Sequence, residues 1–236
     1  MVQHFKCVIF DVDGTILDTS EGIFESVEYT IKHFGFHDLT DKQLKEFIGP
    51  PIQNSFSSKY DLHGDILQEI ATVFRDRYKT YDLLKAKPYD GIYILFSELK
   101  KQDITTAIAT YKRQDYATEL LVKFDFDKYT NIIFGADHEN KLKKKDIIEL
   151  VLKKAGITDY HDAVMIGDSD NDAIGANELG INFIGVTYGF GFKTKEDVLK
   201  FNPYGVAANV DELITMLTRW KYENKTSKIY IWVSSK

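Results

Sequence analysis

Two short acidic clusters carry the residue types and the spacing for chemistry. Asp11 and Asp13 follow the apolar run Val8-Ile9-Phe10, in Asp11-Val12-Asp13-Gly14-Thr15. Asp168 and Asp172 follow a second apolar run, Val164-Met165-Ile166, in Gly167-Asp168-Ser169-Asp170-Asn171-Asp172. Both runs have strand character, and ligands of open α/β sheets bind beyond the carboxyl ends of the strands. Two such ends side by side crowd several carboxylates into one crevice. Like charges at that range repel, so the pattern calls for a bound cation and a lysine. A few hard oxygen ligands suit Mg²⁺, which keeps several waters and takes a substrate phosphate as a further ligand. The chemistry implied is Mg²⁺-assisted phosphoryl transfer.

The rest of the chain must position these groups. Residues 8–10 read as a strand buried on both faces. A helix over 20–34 follows, with Ile23, Val27, Tyr29, Ile31 and Phe34 in a loose stripe ended by Gly35. Residues 40–84 read as mainly helical, opened by a capping box of Thr40 and Gln43 and interrupted by the stiff turn Gly49-Pro50-Pro51. Pro88 and Asp90-Gly91 mark a boundary. Beyond it strands (104–109, 131–134, 164–166, 182–186) alternate with helices (92–100, 114–124, 144–155). Asp211 is expected to cap a last helix, with Leu213, Met216, Leu217 and Trp220 on one face. This alternation predicts an α/β fold, a Rossmann-like parallel sheet core with helices on both faces. The helical block, falling after the first strand, reads as an inserted cap domain over the crevice. The expected division is a core of 1–16 and 85–220, a helical cap of 17–84 and a tail of 221–236, whose 228–233 run has strand character.

Composition limits the function. The 236 residues carry a net charge of −6, which argues against a nucleic-acid partner. The single cysteine, Cys7, lies inside the first strand, so no intrachain disulfide forms, as suits a reducing compartment. No targeting segment or membrane-length apolar run is visible, so no membrane partner is expected and a cytoplasmic location is. The six histidines show no zinc-site spacing.

The motifs also carry a family resemblance. Asp11-Val12-Asp13-Gly14-Thr15 resembles the first signature of the haloacid dehalogenase superfamily. Thr110, closing Ala107-Ile108-Ala109, resembles the second, and the Gly167 to Asp172 segment resembles the fourth. The third is a helix-opening lysine, and Lys144 stands where relatives carry it, with Lys141, Lys143 and Lys145 close by. Phe47-Ile48-Gly49-Pro50-Pro51 and Tyr89-Asp90-Gly91-Ile92 resemble segments of the phosphoglycolate-phosphatase-like branch.

The resemblance implies roles. Asp11 is the expected nucleophile, forming an aspartyl-phosphate. Asp13 is the general acid and base, and its backbone carbonyl also joins the metal. An acid at this position points to phosphate esters. Asp11, Asp13 and Asp168, supported by Asp172, are the metal residues for Mg²⁺. Lys144 neutralises the phosphate and Asp11 while resting against Asp168 or Asp172. Thr110, Tyr111 and Gly14 are expected to surround the phosphate. Tyr111 is a departure, since many relatives have a smaller residue there. Gly49, Pro50, Lys112 and Arg113 are expected to set substrate choice from the lid and rim. The implied function is hydrolysis of a small phosphorylated metabolite, phosphoglycolate-like or a nucleoside monophosphate. A pyrophosphatase or phosphosugar mutase of the same branch is the alternative, and a non-catalytic binding protein is a further one. Oligomeric state is not legible in the sequence.

Overall fold

Val8 and Phe10 face one side of a central sheet, and Cys7 and Ile9 face the other, all fully buried. This period of two gives a strand with two apolar faces, which must be covered by helices on both sides. The computed structural model describes residues 4–138 and 141–218. Its six-stranded parallel sheet has the order β5-β4-β1-β6-β7-β8. These strands are β1 (Cys7–Phe10), β4 (Thr105–Arg113), β5 (Ile133–Ala136), β6 (Ala163–Gly167), β7 (Asn182–Val186) and β8 (Gly205–Ala207). β2 (Leu17–Asp18) and β3 (Lys87–Pro88) form a separate two-stranded antiparallel ribbon.

Between the ribbon strands lie α1 (Ser20–Phe34), α2 (Asp41–Lys45), α3 (Ile52–Tyr60), α4 (Ile66–Arg77) and a π-helical turn, Tyr78–Asp82. The core helices are α5 (Ile92–Lys101), α6 (Gln114–Lys123), α7 (Lys144–Ala155), α8 (Asp170–Leu179), α9 (Lys195–Leu199) and α10 (Val210–Leu217). α7 and α8 cover the Cys7 and Ile9 face through Ile147, Ile148, Val151, Leu152, Ala173 and Ala176. α5, α6 and α10 cover the other face through Leu95, Phe96, Leu99, Leu120, Leu213 and Ile214. In the insertion, Ile23, Val27 and Ile31 of α1 pack with Ile70, Ala71 and Phe74 of α4 in one apolar cluster. Buried there, Asp82 accepts hydrogen bonds from Ser26 Oγ (2.9 Å) and Arg77 Nε (2.7 Å) and pairs with Lys85 (2.9 Å). Those partners offset the cost of taking its charge out of water.

Three expectations change in detail. β4 does not stop at Ala109 but runs to Arg113, because its ladder with β5 shifts register between Ala109 and Arg113 and then resumes. β5 begins two residues later than expected, at Ile133, and the Gly135 N–H donates to Gln114 Oε1 at 2.7 Å. The last helix is capped by Asn209 rather than Asp211, since Asn209 Oδ1 accepts the Glu212 N–H at 3.0 Å. The expected cap boundary at 17 coincides with the first residue of β2, whose two-residue length is too short to show periodicity. Trp220 and the tail 221–236, including 228–233, lie outside the described residues.

Candidate active site

β1 and β6 pair in register, Phe10 opposite Ile166, so their carboxyl ends are level. Asp11 and Asp168 are the first residues past those ends. The Asp11 N–H donates to the Ile166 carbonyl at 2.9 Å, which holds the acidic residue in line with the strand. Asp11, Asp168 and Asp172, all buried, offer carboxylate oxygens within 4.8 Å of one another. Lys144, the first residue of α7 and 3% exposed, sends its Nζ to Asp11 Oδ1 at 2.7 Å and to Asp172 Oδ1 at 2.6 Å. Of the lysines the sequence leaves open, Lys144 is the buried one; Lys145 pairs with Glu178 on the surface at 3.7 Å. Three carboxylates against one ammonium leave two formal negative charges, which a divalent cation balances. The all-oxygen donor set therefore fits Mg²⁺.

Burial pushes the Asp11 carboxyl well above the usual carboxylate range; Lys144 opposes the rise, and Asp172 and Asp13 add to it. Burial likewise raises Asp168 to about 6, with Asp172 contributing. Burial disfavours charge on Lys144 as well, but Asp11 and Asp172 outweigh it and the ammonium is strongly retained. Asp168 Oδ2 accepts from the Phe190 N–H (2.5 Å) and the Gly191 N–H (3.0 Å). Asp172 Oδ2 accepts from Ser169 N (3.1 Å) and Ser169 Oγ (2.7 Å) at the start of α8. With Oδ1 on Lys144, both Asp172 oxygens are engaged, so this residue orients the lysine.

Asp13 stands apart from the carboxylate trio. Its Oδ1 accepts from Thr19 Oγ1 at 2.5 Å and meets Lys112 Nζ at 3.1 Å, which leaves Oδ2 for another partner. Lys112 also donates to the Tyr78 hydroxyl at 2.9 Å. Burial opposes its charge, but Asp13 and Tyr78 prevail and raise its pKa. Lys112, expected among the residues that set substrate choice, has a side chain 5% exposed and paired with Asp13.

Thr110 Oγ1 accepts the Lys112 N–H at 3.1 Å, so its own O–H is left to donate. The Tyr111 hydroxyl accepts the Lys144 N–H at 2.9 Å, and the Lys144 ammonium lies 5.6 Å from the Tyr111 ring centre. The large residue at 111 thus ties β4 to the start of α7.

Asp11, Asp13, Thr110, Tyr111, Lys112, Lys144 and Asp168 line one cavity of about 360 Å³, roofed by Gly49 and Pro50 from the insertion. Gly14 and Asp172 lie behind that lining, and Arg113 lines a neighbouring recess. Sequence reasoning missed Thr19 and Tyr78, for which no motif gave a signal. It also missed Lys42, Lys45 and Lys193, which line the same cavity together with the acidic Glu46 and Asp170. The loop Gly189-Phe190-Gly191 was missed too, although two glycines so close after a strand were a visible sign of tight approach.

Gly14 has a φ of +75°, and a Cβ there would lie 2.1 Å from Asp168 Oδ2. Gly35 has a φ of +69° with nothing within 4 Å of its added Cβ. Left-handed backbone costs an L-residue about 1–2 kcal/mol at either position. Gly14→Ala is expected to lose more stability than Gly35→Ala in urea unfolding, the excess being the collision with Asp168. Equal losses would contradict the close approach.

An open parallel sheet with a carboxylate–lysine cluster at its strand ends, under a helical insertion, defines a class of hydrolases. The haloacid dehalogenase-like hydrolase family model matches residues 8–186, and the chain belongs to that family. It is similar to a 5'-nucleotidase of Pseudomonas aeruginosa, 32% identical over 198 residues, which are 84% of this chain and 88% of that protein. A pyrophosphatase of Halalkalibacterium halodurans is 26% identical over 216 residues, 91% of this chain and 98% of that one. The crystal structure of a predicted phosphatase from Clostridium acetobutylicum superposes with a TM-score of 0.82 at 33% identity, covering 89% of this chain and 97% of that one.

Proposed function

We propose that the chain is a cytoplasmic Mg²⁺-dependent phosphatase that hydrolyses a small phosphate monoester through an aspartyl-phosphate. The observation that carries this reading is Asp11, with one oxygen on Lys144 and the other unengaged, facing a cavity shared with Thr110 and Asp13. The relatives named 5'-nucleotidase and phosphoglycolate phosphatase support phosphate esters as the substrate class. Among the described residues no helix is long and apolar enough to cross a membrane.

Asp11, Asp168 and the Asp13 backbone carbonyl would hold the Mg²⁺, with Asp172 supporting. Bound there, the ion supplies positive charge to the phosphate oxygens and to the crowded carboxylates. Asp11 Oδ2 attacks phosphorus. Asp13 gives a proton to the leaving alcohol oxygen as the phosphorus–oxygen bond breaks. Asp13, now ionised, takes a proton from water, and the water oxygen attacks the aspartyl-phosphate to release phosphate and restore Asp11. Thr110 donates its O–H to a phosphate oxygen, and Lys144 offsets the negative charge. Thr19 and Lys112 hold Asp13 in place. The helical segment 17–84 acts as the cap: its Gly49-Pro50 turn closes the chamber against water and meets the alcohol part of the ester.

Phosphate release measured over a panel of small monoesters tests the reading. Release is expected with Mg²⁺, loss with EDTA, and inhibition by Ca²⁺, whose looser and higher coordination misplaces the nucleophile. Full activity in chelator would remove Asp11 and Asp168 from the metal.

A further inference from the structure

A smaller recess of about 120 Å³ opens off the main chamber beside Asp13 and Lys112. Asp13 is the group placed to protonate the leaving oxygen, so this recess lies where the alcohol part of the ester must go. Phe74, Tyr78 and Tyr116 wall it. Phe74 and Tyr78 stack at 5.7 Å, and Tyr78 meets Tyr116 edge-on at 5.7 Å. These paired rings give the recess apolar aromatic walls, which suit a ring as guest. A cavity of roughly 150 Å³ accepts benzene, so this recess suits one ring that stands partly in the larger chamber.

Two guanidiniums also line it, and they are not equivalent. Arg113 is satisfied: it holds Asp115 through two hydrogen bonds, of 2.7 and 2.5 Å, and lies over the Tyr116 ring at 4.0 Å. Arg75 is half-buried and donates to Gln53 Oε1 at 3.3 Å, and it makes no ion pair among the described residues. Burial, and after it the charge of Arg113, act against the Arg75 cation. A guanidinium stays charged in proteins, so the positive charge remains without a counterion. A carboxylate or a second phosphate on the substrate would supply one through charge-assisted hydrogen bonds.

We propose that this recess binds the leaving alcohol, and that the preferred substrates are phosphate monoesters whose alcohol carries an apolar ring and a second anionic group held by Arg75. The inference rests on the phosphatase reading and narrows its substrate class.

The test compares kcat/KM for para-carboxyphenyl phosphate and para-carbamoylphenyl phosphate, which match in shape and differ in charge. Wild type is expected to favour the carboxylate by about tenfold or more, as a charge-assisted bond to Arg75 requires. Arg75→Gln should lower that ratio by a similar factor, and Arg75→Lys should keep part of it. Any intrinsic difference between the two esters cancels in the ratio of ratios. An unchanged ratio in Arg75→Gln overturns the inference and leaves the phosphatase reading standing. Should Arg75→Gln fail to fold, Arg75→Met supplies the same ratio of ratios. No phosphate from any ester, with Mg²⁺ present, overturns the phosphatase reading and this inference with it.

Discussion

Asp11→Asn is expected to abolish phosphate release while leaving the fold intact. The substituted amide keeps the size of Asp11 and an oxygen that can accept from Lys144 Nζ, which now lies 2.7 Å from Oδ1. The backbone bond from Asp11 to the Ile166 carbonyl does not involve the side chain. What is lost is the anionic oxygen that attacks phosphorus, and an amide is a poor substitute. A loss of at least about a thousandfold in kcat is expected, roughly 4 kcal/mol of barrier. Rapid-quench experiments with labelled substrate should detect an acid-stable phosphoenzyme in wild type and none in the variant. Retention of more than about a tenth of the rate would mean that Asp11 is not the attacking group. Removal of one charge from a crowded carboxylate cluster should also leave the metal-free protein no less stable, which a thermal melt would show.

Lys144→Met should be nearly as damaging, for a different reason. The ammonium serves two masters, Asp11 at 2.7 Å and Asp172 at 2.6 Å, in a site almost closed to water. Removing one partner of a buried ion pair costs about 3–5 kcal/mol, because the remaining charge is left uncompensated. Here two carboxylates lose their partner, and Asp168 adds a third. The variant is therefore expected to be clearly less stable without metal. It should gain more from added Mg²⁺ than wild type does, since the cation becomes the one source of compensation. Activity should fall by about a hundredfold or more even with saturating metal, the usual effect of removing one preorganised charge-stabilising group. A melt in the presence and absence of Mg²⁺, paired with phosphate release, checks both statements. An unchanged metal-free melting temperature would show that Lys144 does not hold the carboxylates together. Lys145→Met, removing a surface pair at 3.7 Å, is the control and should change little.

The two results would bear on different parts of what the sequence shows. The chain states its strands and helices through apolar spacing. Cys7 to Phe10 is apolar at every position, so this strand had to be central, and Asp11 had to sit at its end. Residues 20–34 and 144–155 declare their helices by stripe and by the closing glycines, Gly35 and Gly156. These are local properties, fixed by backbone geometry and burial, and they read directly from residue order. The resemblance to the family signatures also pointed to Asp11, Asp13, Thr110 and Asp168 as members of one site.

Contacts between distant segments were decided by tertiary structure alone. Four lysines between 141 and 145 have similar surroundings in sequence. Only the packing of α7 against α8, so close that a Cβ added at Gly175 would lie 3.1 Å from the Lys144 side chain, turns that one inward and the others out. In the sequence Lys112 is legible only as a residue that follows Thr110 and can reach the same space. Its burial depends on Tyr78, which is 34 positions away and is brought to it by the fold of the insertion. Arg75 carries no motif and sits on an ordinary amphipathic helix. It has no ion-pair partner among the described residues, and the neighbouring charge it meets is Arg113 from β4, whose guanidinium takes Asp115. Residue order determines which elements form and where their ends lie. Which charges meet across those ends depends on the packing of segments far apart in the chain, and pair energies in a buried site depend on distance and solvent exposure.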